Sequence, residues 1–242
     1  MPKPRQIFAY SGILRTEANP EGSFRLVQHA IDLARPAGRP RVCYVPTAVG
    51  DSPAAVETFT AAAAAAGADA EISVLTLFAQ PSVPDIRAHL LGQDVIVVSG
   101  GSVANLMAVW RVHGLREIMR DCWEAGVVLS GGSAGSLCWH LGGPTDSFRD
   151  ELDPFTDGIG LLPFSNGVHD DFSSQPRRDT YRRMVAAGTF PAGYASEDGV
   201  GLHYLGTELH EAVRIRPGKR GWHVAPDGAG GWQEEALPTR DV

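Results

Sequence analysis

The stretch from Val127 to Gly135, VVLSGGSAG, restricts the fold more than any other part of the chain. Val127-Val128-Leu129-Ser130 is a short apolar run of the kind needed by a strand covered on both faces, as in a parallel sheet flanked by helices. It runs straight into Gly131-Gly132-Ser133-Ala134-Gly135, and a helical pattern from Ser136 to Leu141 follows. A strand, a G-x-S-x-G turn and a helix in that order form a nucleophile elbow: the serine sits on a strained turn with its hydroxyl presented outward. Glycines flank it because a side chain there would strike the neighbouring strand or helix. Gly-rich turns between strand and helix also hold phosphates, but neither GxGxxG nor GK[ST] is present, so the reading favours Ser133 as a nucleophile over a nucleotide cradle.

The remainder of the chain agrees with an α/β fold. Ile7 to Tyr10, Arg41 to Pro46, Glu71 to Leu77 and Asp94 to Gly100 read as strands, with helices predicted over Ser23 to Arg35 and Pro53 to Ala66. Such alternation is the sequence form of βαβ units and a mostly parallel central sheet in a three-layer sandwich. Leu106, Val109, Trp110, Leu115, Ile118, Met119 and Trp123 recur at helical spacing between Val103 and Ala125. Gly143 to Pro163 reads as a loop, Pro176 to Ala187 as a helix, and the chain from Gly199 as strands joined by turns. No repeat or boundary divides the 242 residues, so residues 1–242 are expected to form one domain, with a flexible tail from about residue 226.

Composition narrows the function. A net charge of -7 without a long basic cluster argues against nucleic-acid binding. No apolar segment is long enough for a membrane span and the N-terminus lacks a signal-peptide core, so a cytoplasmic protein is expected. Cys43, Cys122 and Cys138 are too scattered for a disulfide framework or a metal site. With no HExxH motif either, no metal or organic cofactor is expected. The Ala134 N–H, at the start of the helix after the elbow, is placed to stabilise an oxyanion. The Gly101 backbone in Gly100-Gly101-Ser102 is the expected second donor, since neighbouring parallel strands deliver their C-terminal ends to one crevice.

These residues resemble the dipeptidase E and cyanophycinase family of serine peptidases, whose fold is similar to that of class I glutamine amidotransferases and is flavodoxin-like. The matching segments are Val95 to Leu106, Leu129 to Ser136, and Gly158-Ile159-Gly160-Leu161-Leu162-Pro163 with His169 beyond. The resemblance implies Ser133 as nucleophile, His169 as general base and Asp146 as the acid that orients it, with Asp198 the next candidate. It implies that Arg177, rivalled by Arg178, binds a substrate carboxylate, and it puts Ser102 in the substrate site where many members carry asparagine.

The implied activity is acyl transfer through Ser133 on small peptides, such as dipeptides with an N-terminal aspartate. The expected partner is therefore a small peptide, with a homodimer left open as the assembly. Two alternatives stand: a related serine hydrolase or esterase without aspartate preference, and an inactive binding protein of the same fold. A glutamine amidotransferase would need cysteine where Ser133 stands.

Overall fold

A computed structural model describes residues 3–242. In chain order the strands are β1 (Gln6–Tyr10), β2 (Arg41–Val45), β3 (Glu71–Val74), β4 (Val95–Val98), β5 (Val128–Gly132), β6 (Gly143–Thr145), β7 (Asp153–Phe155), β8 (Ser165–Val168), β9 (Gly193–Ser196), β10 (Val200–Leu205), β11 (Glu208–Arg214), β12 (Gly221–Pro226), β13 (Trp232–Ala236) and β14 (Thr239–Asp241). The helices are α1 (Phe24–Ala34), α2 (Pro53–Ala65), α3 (Ile86–Leu91), α4 (Val103–Val112), α5 (Leu115–Glu124), α6 (Ala134–Leu137) and α7 (Arg177–Ala186).

The main sheet has eight strands in the order β14-β11-β10-β1-β5-β4-β2-β3. From β1 to β3 every neighbour is parallel, whereas β10 runs antiparallel to β1 and to β11. The parallel strands are the apolar runs seen in the sequence, and β4 and β5 are buried throughout because helices cover both faces. On one face Phe8, Tyr10, Tyr44 and Val97 pack under α1 and α2. On the other, Ile96, Val98 and Leu129 pack with Leu90, Trp110, Met119 and Leu137 from α3 to α6. The architecture is the expected three-layer α/β, flavodoxin-like arrangement.

A second sheet, β13-β12-β9-β8, carries α7 against it through Tyr181 and Val185. Its central feature is a parallel pair, β8 beside β9, with Val168 opposite Ser196. That register brings the chain just beyond each strand, His169 and Asp198, to the same end of the sheet.

Three expectations are modified. The helix after the elbow stops at Leu137 rather than Leu141, because the chain turns away to let the Leu141 N–H bond the Phe164 carbonyl. The predicted loop from Gly143 to Pro163 contains the short β6–β7 hairpin, and a Cβ at Gly143 would stand 1.9 Å from the Asn166 carbonyl oxygen. The tail beyond 226 forms β13 and β14, the latter completing the edge of the main sheet beside β11. No helix among the described residues is long and apolar enough to cross a membrane.

Buried between the layers, His140 places Nδ1 2.9 Å from the Ser136 carbonyl and Nε2 3.3 Å from the Tyr204 hydroxyl. Nδ1–H donates to the carbonyl, leaving Nε2 to accept from the phenol. Burial lowers its pKa from 6.5 to about 4. The unfolded chain therefore binds this proton at higher pH than the native state, so the stability it confers is present above about pH 6.5 and is lost as pH falls through 4. Unfolding free energy measured in urea is expected to decline between pH 6.5 and 4, and to decline less steeply in His140→Asn.

Candidate active site

Ser133 follows β5 and adopts φ 55° and ψ −113°. A residue with a side chain pays on the order of 1–3 kcal/mol for such backbone, and only surrounding packing can hold it there. That packing is backbone on backbone. A Cβ at Gly135 would lie 2.3 Å from the Val98 carbonyl oxygen, and one at Gly131 would lie 2.5 Å from the Gly135 oxygen. The Ser133 N–H is fixed by the Tyr10 carbonyl at 3.0 Å, which ties the elbow to β1. Among the described residues the Ala134 and Gly101 N–H groups donate to no backbone carbonyl and remain available.

The β4–α4 loop lies against the elbow. Gly100 packs so closely on Ser133 that a Cβ on it would stand 3.2 Å from the serine Cβ, while Gly101 has φ 128° and abuts the Ala48 carbonyl. Ser102, expected to bind substrate, is the N-cap of α4, its hydroxyl accepting from the Asn105 N–H at 3.2 Å. It still lines the cavity that contains Ser133.

His169 leaves β8 in the left-handed region, at φ 57°. Its N–H donates to the Ser11 hydroxyl at 2.9 Å, and Ser11 is 2.7 Å from the Ser196 hydroxyl, so the end of β1 clamps the ends of β8 and β9 together. On the ring, Nδ1 lies 2.5 Å from Asp198 Oδ1. A carboxylate there accepts from Nδ1–H and leaves Nε2 as the lone-pair nitrogen, the tautomer a general base requires. Asp198 is held in turn: its N–H donates to Asp171 Oδ1 at 2.7 Å, and Lys219 pairs with the same Asp171 carboxylate.

The next residue, Asp170, is a second anchor. Its buried carboxylate meets Arg182 and Arg178, while both arginines also reach Glu234. Burial pushes the Asp170 carboxyl upward, and the two guanidiniums oppose that shift. Ser136 completes the frame by donating to Asn166 Oδ1 at 2.8 Å, which links the elbow helix to the strand that delivers His169.

The acid expected behind His169 was Asp146, and the structure does not place it there. Asp146 pairs instead with Arg177 at 2.7 Å, and Asp198 occupies the position beside His169. The physical reason is the β8–β9 register, which carries Asp198 to the imidazole, whereas Asp146 leaves β6 toward the start of α7. Arg178 does not line the cavity; it stacks 4.4 Å above the Trp222 ring within the Asp170 network. Arg177 does line it, is 9% exposed, and has a buried Nε without a protein partner. Burial draws its guanidinium below the usual arginine range, opposed by the Asp146 and Asp198 carboxylates.

Ser133, His169, Asp198, Asp146, Arg177 and the Gly100-Gly101-Ser102 loop all line one cavity of about 970 Å³. No direct Ser133–His169 hydrogen bond forms among the described residues, and contacts of this type commonly tighten only once substrate is bound. Among the described residues no group of three or more His, Cys, Asp and Glu side chains is arranged to hold a metal ion. Sequence reasoning missed Ser11, whose role is visible only once β1 lies beside the β8 and β9 termini.

A serine on a strained elbow, sharing a cavity with a carboxylate-paired histidine, is the constellation of a serine hydrolase on an α/β fold. The sequence model of peptidase family S51 matches residues 15–212. A Bacillus subtilis (strain 168) protein named Uncharacterized peptidase YgaJ is 36% identical over 188 residues, covering 77% of this chain and 78% of that protein. Peptidase E of Streptomyces coelicolor is 29% identical over 150 residues, 59% of this chain and 57% of that protein. Among solved structures, a peptidase from an acI-B1 Actinobacterium superposes with a TM-score of 0.71 at 16% identity, over 98% of this chain and 96% of that one, which speaks to the fold alone. The chain belongs to peptidase family S51, a family of serine peptidases.

The geometry makes a discriminating prediction. Asp198→Asn is expected to slow labelling of Ser133 by a fluorophosphonate roughly 10²- to 10⁴-fold, whereas Asp146→Asn should change it only a few-fold. The reverse order would mean that the Asp198 contact does not serve the histidine.

Proposed function

We propose that the protein hydrolyses small peptides carrying an N-terminal aspartate, by way of an acyl-enzyme on Ser133. The observation that supports this most is Arg177: a buried guanidinium on the wall of the Ser133 cavity with one donor unspent. A carboxylate is the ligand that best fills such a vacancy, because a hydrogen bond between a guanidinium and a carboxylate is charge-assisted and stronger than a neutral one. Asp146 is already paired with Arg177 and has a side chain 41% exposed, so the substrate meets a cation and an anion together. An aspartyl residue with a free α-amine matches both, its side-chain carboxylate on Arg177 and its ammonium on Asp146.

In this reading His169, oriented by Asp198, accepts the Ser133 proton as Oγ attacks the carbonyl carbon. The carbonyl π bond opens to an oxyanion received by the Ala134 and Gly101 N–H groups. Collapse breaks the C–N bond as His169 returns its proton to the leaving amine. Water then gives a proton to His169 as its oxygen attacks the acyl carbon; the bond from that carbon to Ser133 Oγ breaks, and His169 returns the proton to Oγ, regenerating Ser133.

The test is a panel of Asp-Leu, Glu-Leu and Ala-Leu with wild type, Ser133→Ala and Arg177→Met. Asp-Leu should be cleaved in preference, Ser133→Ala should be inactive, and Arg177→Met should lower kcat/KM for Asp-Leu roughly 10- to 100-fold while sparing a neutral ester. Equal cleavage of Asp-Leu and Ala-Leu by wild type would sink the aspartate reading and favour the serine hydrolase without acidic preference. N-acetylation of Asp-Leu should also abolish turnover, since it removes the ammonium offered to Asp146.

A further inference from the structure

The Ser133 cavity is larger than the polar machinery requires. Its volume of about 970 Å³ stands at the upper end of the roughly 300–1,000 Å³ typical of small-molecule sites. The groups described above account for only one of its walls. The other is built from different elements: Tyr10 at the end of β1, Tyr44 on β2, Val97 on β4, Phe24 and Val27 on α1, and Phe59 on α2. This wall begins next to the nucleophile, for a Cβ on Gly132 would stand 2.5 Å from the Tyr10 ring.

The apolar wall is a preformed aromatic surface. Phe59 stacks on Tyr44 with centroids 4.1 Å apart and planes 5° from parallel, and Phe24 meets the edge of Phe59 at 5.6 Å. Both tyrosines carry phenols that burial keeps protonated, with Tyr44 pushed up to about 12. The lobe therefore presents no charge near Ser133, in contrast to the Arg177 and Asp146 end. At its rim Leu14 is 85% exposed and Val49 39% exposed, and both line the same cavity beside the charged Arg15 and Glu21.

We infer that the lobe between α1 and α2 is a specificity subsite for a large apolar or aromatic side chain on the leaving residue of the peptide substrate. This rests on the assignment of Arg177 and Asp146 to the aspartyl residue, which leaves the residue beyond the scissile bond to take the aromatic wall. A dipeptide of aspartate followed by an aromatic residue fills both ends; one ending in glycine leaves the lobe to water. Because burial of an aromatic side chain is favourable and is retained in the transition state, the preference should appear in kcat/KM.

The experiment measures kcat/KM for Asp-Gly, Asp-Ala, Asp-Leu and Asp-Phe with wild type and with Thr58→Trp, a change on the exposed side of α2 that lines the lobe. Wild type should favour Asp-Phe over Asp-Ala roughly 10- to 100-fold, and the variant should bring that ratio close to one; its circular dichroism and melting temperature confirm that it folds. A parallel measurement needs no peptide: Ser133 labelling by fluorophosphonates bearing an ethyl or a phenylethyl group. If Asp dipeptides go uncleaved but the phenylethyl probe still reacts faster and loses that advantage in Thr58→Trp, the aspartate reading fails and the apolar subsite stands. Equal rates for the two probes, or equal kcat/KM for Asp-Ala and Asp-Phe, overturn the subsite.

Discussion

At Ser133 the backbone stands at φ 55° and ψ −113°, a conformation the chain tolerates only because its neighbours leave no alternative. Gly131 and Gly135 lie in backbone contact with each other and with Val98, so β4, β5 and α6 close on the elbow with no room for a Cβ. The Tyr10 carbonyl accepts from the Ser133 N–H, and its ring lies under Gly132. The parallel order β1-β5-β4 is thus what presents the hydroxyl. Each strand meets the serine at its C-terminal end, where open α/β sheets gather their ligands.

Around this fixed point the charged groups are sorted by partner. Asp198 takes the histidine, Asp146 takes Arg177, Asp170 takes Arg178 and Arg182, and Asp171 takes Lys219. Such sorting matters most at Asp170, because a carboxylate buried without a partner is costly and its two guanidiniums offset that cost. The β1–β8–β9 clamp at Ser11 holds the order in place: it fixes the His169 backbone and the strand end that leads to Asp198 with a single hydroxyl.

Local chemistry made much of this readable in the sequence. The elbow is encoded by glycines on either side of a serine after an apolar run, and the parallel strands by continuous valine and isoleucine, so Ser133, Ala134 and the Gly100-Gly101 loop could be located from the order of residues. The partner of His169 could not. Asp198 lies 29 residues away and reaches the imidazole through the register of β8 against β9, a tertiary fact without a local signature. The family resemblance implies Asp146, which follows the elbow helix, yet the chain beyond β6 leads it to Arg177 on α7. Arg177 and its rival Arg178 are neighbours in sequence but occupy different environments: a cavity wall for Arg177, and for Arg178 an ion network shared with the buried Arg182. Burial is what separates them, and helical spacing alone does not report it.

The central claim is that Asp198, and not Asp146, fixes the tautomer and orientation of His169. Proton NMR of the imidazole tests it most directly, since an Nδ1–H held by a carboxylate at 2.5 Å resonates far downfield of ordinary ring protons. Such a resonance is expected in wild type and in Asp146→Asn, and its loss is expected in Asp198→Asn. Its survival in Asp198→Asn together with its disappearance in Asp146→Asn would contradict the account and return the acid to the position the sequence first suggested.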